Sequence, residues 1–218
     1  VKWDGMNAGE WECELNNAFA IINLVGKSVD CIKTPKNIDE ILKSRVDATL
    51  LIGKALRKAN SPPKIWIQMS TAHIYGDSET RINHEDSTLG YGLAPFVGKK
   101  WEAAFHASAL SDTRKVLLRT GFVLDKSGGA FTKLKQIVSI GLGGKVANGK
   151  QGMSWIHMED LNRFAQKALL DKNIQGIYNL SAPKPVNNAV FMCALRKHLE
   201  MPIGLSTPLL MLKLSAKI

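Results

Sequence analysis

Short apolar runs alternate with longer stretches of helical periodicity along this 218-residue chain, and that alternation most constrains its fold. Four short, mostly apolar runs are typical of buried strands: 20–25, 64–69, 116–120 and 176–180. Five stretches carry apolar residues at helical spacing: 37–59, 96–110, 130–140, 159–170 and 186–199. Strands and helices that alternate in this way form right-handed strand–helix–strand units. The sequence therefore predicts an α/β fold, a doubly wound parallel sheet covered by helices on both faces.

The composition is that of a chain with one sizeable core and no disulfide framework. Hydrophobic residues make up 45% of it, enough to bury a core of that kind. Cys13, Cys31 and Cys193 are far apart and form no Cys-x-x-Cys pair, so we expect reduced thiols in a cytoplasmic or organellar-matrix protein. No apolar stretch reaches the roughly 20 residues of a membrane span, so we expect no membrane partner. Because the histidines show no ligand spacing, we predict no metal.

The net charge of +10 suits three kinds of partner: nucleic acid, an anionic membrane surface or a phosphorylated small molecule. The basic residues are dispersed, with no dense basic run and no zinc-finger, RRM or KH motif. We therefore expect no nucleic-acid partner and predict a small-molecule substrate, with an anionic one favoured by the charge. The alternative is that most lysines are simply solvated on helix faces.

A glycine-rich basic loop, residues 141–157, leads into the predicted helix at Glu159. Its glycines, at positions 141, 143, 144, 149 and 152, let the backbone approach a ligand closely. Lys145 and Lys150 add the positive charge that a phosphorylated ligand requires. The alternative interpretation is a flexible surface loop with solvated lysines.

Polar clusters follow three of the predicted strands at the point where each strand ends. They are 23–26, 70–76 and 119–122. In open parallel sheets, ligands bind beyond the carboxyl ends of the strands. The convergence of three clusters at this edge predicts a binding cleft there.

Seven motifs together resemble the atypical extended short-chain dehydrogenase/reductase group, the nucleoside-diphosphate-sugar epimerase-like family. They are Ile-Asn-Leu-Val-Gly (22–26), Lys-Ser-Arg-Val-Asp-Ala-Thr (43–49), Ser-Thr-Ala-His-Ile-Tyr-Gly (70–76), Lys-Trp-Glu (100–102), Leu-Arg-Thr-Gly-Phe-Val-Leu (118–124), Ser-Trp-Ile-His (154–157) and Asn-Leu-Ser-Ala-Pro (179–183). The match runs from about Trp3 to beyond Pro208. Three elements are specific to this group in combination but not singly: Ser-Arg-x-x-x-Thr, the glycine-rich loop and Ser-Trp-Ile-His.

The resemblance implies a Rossmann-like core with a small C-terminal substrate-side region and NADP as the cofactor. Residues 1–125 would form part of the dinucleotide-binding core. Residues 126–218 would combine the substrate-side loop and helices with a strand that returns to the sheet. The family's NADP cleft is lined at five matching positions: Leu24, Val25, Glu40, Arg45 and Phe122. For Arg45, the alternative is a contact that locks its helix to the sheet.

The chain departs from the family pattern in two ways. Family members open with a strand, a Gly-x-x-Gly-x-x-Gly turn and a helix that holds the pyrophosphate. No such segment precedes Val1, so we expect a fragment or degenerate relative whose NADP affinity is weak or absent. Ordinary relatives also use a Tyr-x-x-x-Lys pair in which the lysine lowers the tyrosine pKa. With Glu102 aligned to the acidic residue that usually follows this pair, Ala94 and Gly98 take the two positions.

The remaining candidates divide into catalytic and substrate-side residues. Ser70 and Tyr75 are the predicted catalytic hydroxyls, against the alternatives of a turn-forming serine and a packing tyrosine. The predicted substrate-side residues are Lys145, Lys150, Trp155 and His157. His157 suits acid–base work because histidine as a residue type exchanges protons near neutral pH, and the alternative places it just before a helix cap at Asp160.

These residues support two hypotheses about function. The first is an NADP-binding oxidoreductase or nucleotide-sugar epimerase with an unidentified substrate. The second is a non-catalytic dinucleotide sensor or scaffold on the same fold, which the missing Tyr-x-x-x-Lys pair favours. The sequence does not determine the oligomeric state.

Overall fold

The computed structural model describes residues 1–77, 81–108 and 110–206. The strands are β1 (Ile21–Asn23), β2 (Ile65–Thr71), β3 (Arg114–Thr120), β4 (Phe122–Leu124), β5 (Gly152–Met153), β6 (Trp155–His157), β7 (Gly176–Leu180) and β8 (Val186–Asn187). The α-helices are α1 (Pro35–Lys58), α2 (Leu93–Ser108), α3 (Gly129–Ile137), α4 (Met158–Leu170) and α5 (Asn188–His198). A π-helical turn, Val138–Leu142, continues α3. The end of the predicted second domain, 207–218, lies outside the described residues.

The main sheet has the order β1–β2–β3–β7, and every neighbouring pair of strands is parallel. Its register pairs Ile22 with Ile67, Ile67 with Val116, and Leu118 with Tyr178. Helices α1, α2 and α4 lie in the connections between successive strands of this sheet. This topology confirms the predicted doubly wound, Rossmann-like parallel sheet.

The two faces of the sheet follow from the two-residue alternation of side chains along a strand. On one face, Ile67 and Leu118 pack in a buried cluster with Ala168 of α4. On the other face, Trp66 and Leu117 pack against α1 and α2, where the Trp66 ring meets that of Phe105 edge-on at 5.0 Å. Strands buried on both sides are apolar at nearly every position, which is why these runs stood out in the sequence.

A third buried cluster builds a smaller C-terminal region beside the sheet. It contains Val138 with Phe191, Met192 and Leu195 of α5. Two short pairings enclose it: β4 runs parallel to β6, and β5 runs antiparallel to β8. These four strands have only two or three residues each, too few to show a periodicity in sequence.

Helix boundaries follow local capping chemistry. The Thr34 side chain caps α1 by accepting from the Asn37 amide at 3.2 Å, and Pro35 occupies the first turn, where its missing N–H is not needed. For the same reason α2 includes Pro95 in its first turn and begins earlier than the predicted Phe96. Among the described helices, none combines the length and apolar character needed to cross a bilayer.

Candidate active site at the carboxyl edge of the sheet

The predicted polar clusters lie at one edge of the main sheet. Because the strands are parallel, β1, β2 and β3 all end on the same side. The register places Ser70 beside Arg119 and Thr71 beside Thr120. Arg119 in turn lies beside Asn179 of β7. The edge therefore carries hydroxyl, guanidinium and amide side chains within reach of one another.

A buried ion pair lies at the centre of this edge. The Arg119 guanidinium donates from Nε to Glu102 Oε1 at 3.0 Å and from Nη2 to Glu102 Oε2 at 2.8 Å. Only 4% of the Arg119 side chain and 8% of the Glu102 side chain are exposed. The Ser70 hydroxyl donates to the same carboxylate, to Oε1, at 2.6 Å. Glu102 thus joins α2 to the ends of β2 and β3.

The Tyr75 hydroxyl completes this network on the other side of Arg119. It accepts from Arg119 Nη1 at 2.7 Å and donates to Asn179 Oδ1 at 2.8 Å. The Arg119 guanidinium also lies 5.1 Å from the centre of the Tyr75 ring. Glu85, in the segment before α2, also contacts this edge. Its backbone oxygen accepts from Arg119, and its carboxylate accepts from the Asn179 amide.

Burial alone would lower the pKa of the Arg119 guanidinium, since a charge is costly away from water. The hydrogen bonds with Glu102 and Tyr75, together with the Coulombic attraction of Glu102, outweigh that cost and raise the pKa above its usual value. The network therefore favours the charged form of Arg119.

The two predicted catalytic hydroxyls, Ser70 and Tyr75, are thus brought into one network, with their hydrogens already donated to protein acceptors. Thr71 differs from them. It follows Ser70 in β2, so its side chain points to the opposite face of the sheet, and it is half-buried. Its Oγ1 accepts from the His73 amide at 3.2 Å, and its hydroxyl hydrogen meets no acceptor among the described residues. Thr71 was not among the predicted catalytic residues. The alternation of side chains along β2 is the feature of the sequence that distinguishes it from Ser70.

A second buried network lies at the end of β1 and joins this strand to α1 and α2. Thr49 Oγ1 accepts from Asn23 Nδ2 at 3.2 Å and from Trp101 Nε1 at 3.1 Å, and it donates to the Arg45 backbone oxygen at 2.7 Å. Asn23 Nδ2 also donates to Gln68 Oε1 at 3.0 Å. The network holds the end of β1 in place against α1.

Replacing Thr49 with Val keeps the shape of this residue but removes the acceptor for the Trp101 indole. We expect the free energy of unfolding to fall by about 2 kcal/mol, since a buried donor without a partner costs roughly 1–3 kcal/mol. Thr132→Val is the matched control, because Thr132 is half-buried on α3 and its hydroxyl bonds only the Gly128 backbone oxygen. Urea unfolding of both variants measures the difference, and equal losses would contradict the role given to Thr49.

Arg45 and Glu40, two predicted cofactor residues, hold the loop that follows β1. Arg45 Nη1 donates to the Lys27 and Ile41 backbone oxygens at 3.1 and 3.0 Å, and its guanidinium lies 5.2 Å from the centre of the Trp101 ring. Burial lowers the pKa of Arg45 below its usual value. Glu40 pairs with the Lys27 ammonium, and that hydrogen bond lowers the pKa of the Glu40 carboxyl. Both side chains thus contact the segment that contains Leu24 and Val25 rather than open space.

The other predicted cofactor residues differ in exposure. Leu24 lies beyond the end of β1 with 66% of its surface exposed, although it is apolar. Val25 is half-buried, and its amide donates to Asn23 Oδ1 at 3.1 Å. Phe122 packs in the C-terminal cluster, where its ring meets that of Phe191 edge-on at 5.9 Å. Of the three, Leu24 is the most available to a ligand.

The glycine-rich loop uses two of its glycines for packing within the chain. A Cβ at Gly144 would lie 2.5 Å from the Leu205 backbone, and one at Gly143 would lie 2.9 Å from Val138. The segment around Leu205 is bonded to the loop, because its amide donates to Gly141 and its oxygen accepts from Gly144. The lysines that were predicted to hold an anion, Lys145 and Lys150, are exposed.

The end of the loop is anchored at the carboxyl edge of the sheet. The Phe122 amide donates to the Ser154 oxygen at 2.7 Å, and a Cβ at Gly121 would lie 2.7 Å from that same oxygen. Trp155 is half-buried against the C-terminal cluster, whereas His157 is exposed. His157 itself caps α4, because its Nδ1 accepts from the Glu159 amide at 3.2 Å. The sequence placed this cap at Asp160, which instead lies in the first turn of the helix.

No cluster of three or more His, Cys, Asp or Glu side chains suited to a metal occurs in the described part of the chain.

Comparison with known proteins relates this chain to epimerase family proteins. No family model matches the chain. An epimerase family protein of Mycobacterium bovis is 32% identical over 195 residues, which cover 89% of this chain and 64% of the relative. Epimerase family protein SDR39U1 of Bos taurus is 33% identical over 214 residues, covering 95% of this chain and 71% of the relative. The chain thus spans less than two thirds of the Mycobacterium relative.

Two solved structures share the fold over most of this chain. The crystal structure of human epimerase family protein SDR39U1 with NADPH superposes with a TM-score of 0.83 at 30% identity, covering 92% of this chain and 69% of that one. A nucleoside-diphosphate sugar epimerase from Corynebacterium glutamicum superposes with a TM-score of 0.76 at 27% identity, covering 98% of this chain and 46% of that one.

Proposed function

This chain belongs to the SDR39U1 family of epimerase-like proteins, and from that premise we propose that it forms part of an NADP(H)-dependent oxidoreductase or nucleotide-sugar epimerase. The observation that carries the proposal is the shared edge at which β1, β2 and β3 end, with polar side chains on each strand. Open parallel sheets bind dinucleotides at this edge. The human relative of the same fold was crystallised with NADPH.

The residues at the end of β1 fit one end of such a cofactor. Leu24 presents an exposed apolar side chain there, and Gly26 leaves room for the Arg45 guanidinium, since a Cβ at Gly26 would lie 3.0 Å from Arg45 Cζ. Glu40 and Arg45 act indirectly in this proposal, since their bonds to Lys27 fix the backbone that presents Leu24. When bound, the nicotinamide cofactor would supply the hydride chemistry: a reductase would take a hydride from NADPH, whereas an epimerase would pass one to NADP⁺ and take it back.

No Tyr-x-x-x-Lys tyrosine supplies the proton, because Ala94 and Gly98 take those positions. We assign to the Thr71 hydroxyl the hydrogen bond that polarises the substrate oxygen, because no protein group accepts its hydrogen among the described residues, and water would supply the proton. Ser70 and Tyr75 act as positioning residues, since their hydroxyls bind Glu102 and Asn179 and hold the end of β2 in place.

The substrate side would be formed by the loop that ends at the same edge. Lys145 and Lys150 are exposed cations suited to an anionic substrate, and Trp155 borders the C-terminal cluster. Because His157 Nδ1 accepts a backbone hydrogen bond, the neutral ring carries its proton on Nε2. That N–H is free to donate to a substrate oxygen.

A charge placed at Leu24 tests the cofactor site. Leu24→Glu is expected to weaken NADPH binding about tenfold, since a carboxylate would repel the cofactor phosphates and polar burial is unfavourable. Leu170→Glu is the matched control, because Leu170 is 79% exposed at the end of α4. NADPH fluorescence titration of both variants gives the affinities. Equal affinity in Leu24→Glu and the unaltered protein would contradict a cofactor contact at Leu24.

The second hypothesis, a non-catalytic dinucleotide sensor, keeps one specific observation in its favour: the Ser70 and Tyr75 hydroxyls are already bound within the protein. NADPH oxidation measured with nucleotide sugars, ketones and enones separates the two functions. Turnover with any of them supports the enzyme, and tight NADPH binding without turnover supports the sensor.

A further inference from the structure

Arg196, on the last turn of α5, has an environment unlike that of any other described arginine. The others each donate to at least one protein oxygen: Arg45, Arg57, Arg81, Arg114, Arg119 and Arg163. Among the described residues Arg196 forms no ion pair, and its Nε is buried without a hydrogen-bond partner. A buried guanidinium nitrogen without an acceptor is costly, and in native structures it is typically explained by a bound water or ion.

Two glycines hold the Arg196 side chain in one position. A Cβ at Gly143 would lie 3.1 Å from Arg196 Cγ, so the aliphatic stem packs directly on the glycine-rich loop. A Cβ at Gly204 would lie 2.3 Å from Nη1 and 2.6 Å from Cδ. The guanidinium therefore occupies space that any other residue at 204 would fill. An anion that binds the Arg196 guanidinium would not have to immobilise this side chain. Its conformational entropy is already lost when the protein folds.

The same side chain lines an open pocket of about 330 Å³. Its walls are Cys193, Arg196, Lys197, Glu200, Met201 and Pro202. The two cations outnumber the single carboxylate, and the Glu200 carboxylate pairs with neither of them among the described ion pairs. The remaining walls are apolar or weakly polar. The pocket is thus positively charged and larger than a single inorganic ion requires.

Cations in the last turn of a helix often serve only the helix dipole. His198 fits that explanation, because it is exposed and is not among the residues that line the pocket. It does not account for Arg196, whose stem is held between Gly143 and Gly204 and whose Nε is buried without a partner among the described residues.

We propose that this pocket is a binding site for a phosphate group, held by the Arg196 guanidinium with the Lys197 ammonium adding charge. The planar guanidinium matches two phosphate oxygens at once, which a lysine cannot do. The phosphate comes either from free inorganic phosphate or from a phosphorylated small molecule whose organic part contacts Met201 and Pro202. The site shares no residue with the Ser70–Tyr75 network and does not depend on the proposed NADP chemistry.

The probe is inorganic phosphate, titrated into the ¹⁵N-labelled protein. The buried Arg196 Nε–H is protected from exchange and should give its own NMR signal, which we expect to shift saturably as phosphate is added. Arg196→Met keeps the stem and removes the charge, and we expect phosphate to bind at least about tenfold more weakly to it. Arg163→Met, at an exposed arginine on α4, is the control and should leave the affinity unchanged.

Arg196→Lys is a second variant that keeps the proposal testable if Arg196→Met does not fold, since it keeps the charge and most of the stem. We expect severalfold weaker phosphate binding, because the two-point contact is lost. Equal affinity in Arg196→Lys, no saturable shift in the unaltered protein, or equal affinity for acetate would each overturn the proposal.

A second arm with UDP separates the two phosphate sources. Tighter binding of UDP than of phosphate, lost in Arg196→Met, assigns the site to a phosphorylated molecule. Arg196-dependent binding of phosphate with no Arg196-dependent binding of UDP assigns it to the free ion.

Discussion

Arg119→Met is expected to lower the free energy of unfolding by about 3–5 kcal/mol, the usual loss when one partner of a buried ion pair is removed. The methionine retains the stem of Arg119 but leaves the Glu102 carboxylate buried with Ser70 as its remaining donor among the bonds described above. Tyr75 and Glu85 lose a donor as well. For a domain of this size the midpoint of thermal unfolding should fall by roughly 10 °C.

The matched control is Arg163→Met, which removes an Arg–carboxylate contact from the surface. Arg163 pairs with Glu159 and Asp160 on α4, but 67% of its side chain is exposed. Surface pairs contribute about 0–1 kcal/mol, so this variant should unfold almost as the unaltered protein does. Urea unfolding followed by circular dichroism measures both. Losses of similar size at the two sites would mean that burial does not set the strength of the Arg119 network.

Thr71→Val is expected to reduce turnover by roughly 100-fold or more while leaving the free energy of unfolding almost unchanged. Valine has the shape of threonine, and the lost hydroxyl accepts only one local bond, from the His73 amide. A hydrogen bond aimed at charge that develops in the transition state contributes about 10²–10³ in rate, so a hydroxyl that donates to the substrate should show a loss in kcat rather than KM. This prediction rests on the proposed enzyme function.

Ser70→Ala and Tyr75→Phe give the opposite signature if these residues only position the strand. Each removes a bond to a buried charged or polar partner and should cost about 1–3 kcal/mol of stability. Their turnover at a temperature well below unfolding should fall less than that of Thr71→Val. A loss of turnover in Ser70→Ala or Tyr75→Phe larger than in Thr71→Val, with stability intact, would return the catalytic role to the two residues that the sequence first indicated.

The differences between prediction and structure are concentrated in short elements and in side-chain partners. The sequence predicted all four strands of the main sheet, because strands buried on both faces are apolar throughout. It missed β4, β5, β6 and β8, which are too short to show a pattern and are held by pairing with distant segments. It also treated the glycine-rich loop as a ligand cradle, whereas Gly143 and Gly144 make room for Val138 and for the chain near Leu205.

The candidate site likewise has features that the sequence could predict and features that it could not. That Ser70 and Arg119 would lie at one edge followed from parallel strands and the positions where they end. The partner of Arg119 did not follow, because Glu102 is on α2 and helix packing brings it to the strand. Which hydroxyl remains free, Ser70 or Thr71, depends on which face of the sheet each one points to.

The sequence by itself determined the class of fold and the sheet edge at which the polar strand ends lie, because hydrophobic periodicity and strand ends are local properties of the chain. The tertiary structure alone decided which polar groups at that edge are already satisfied. Hydrogen bonds such as Tyr75 to Asn179 join residues separated by 104 positions. Burial likewise sets the strength of Arg119–Glu102 and left Arg196 without a partner among the described residues. Such pairings depend on distances between elements, which no local pattern encodes.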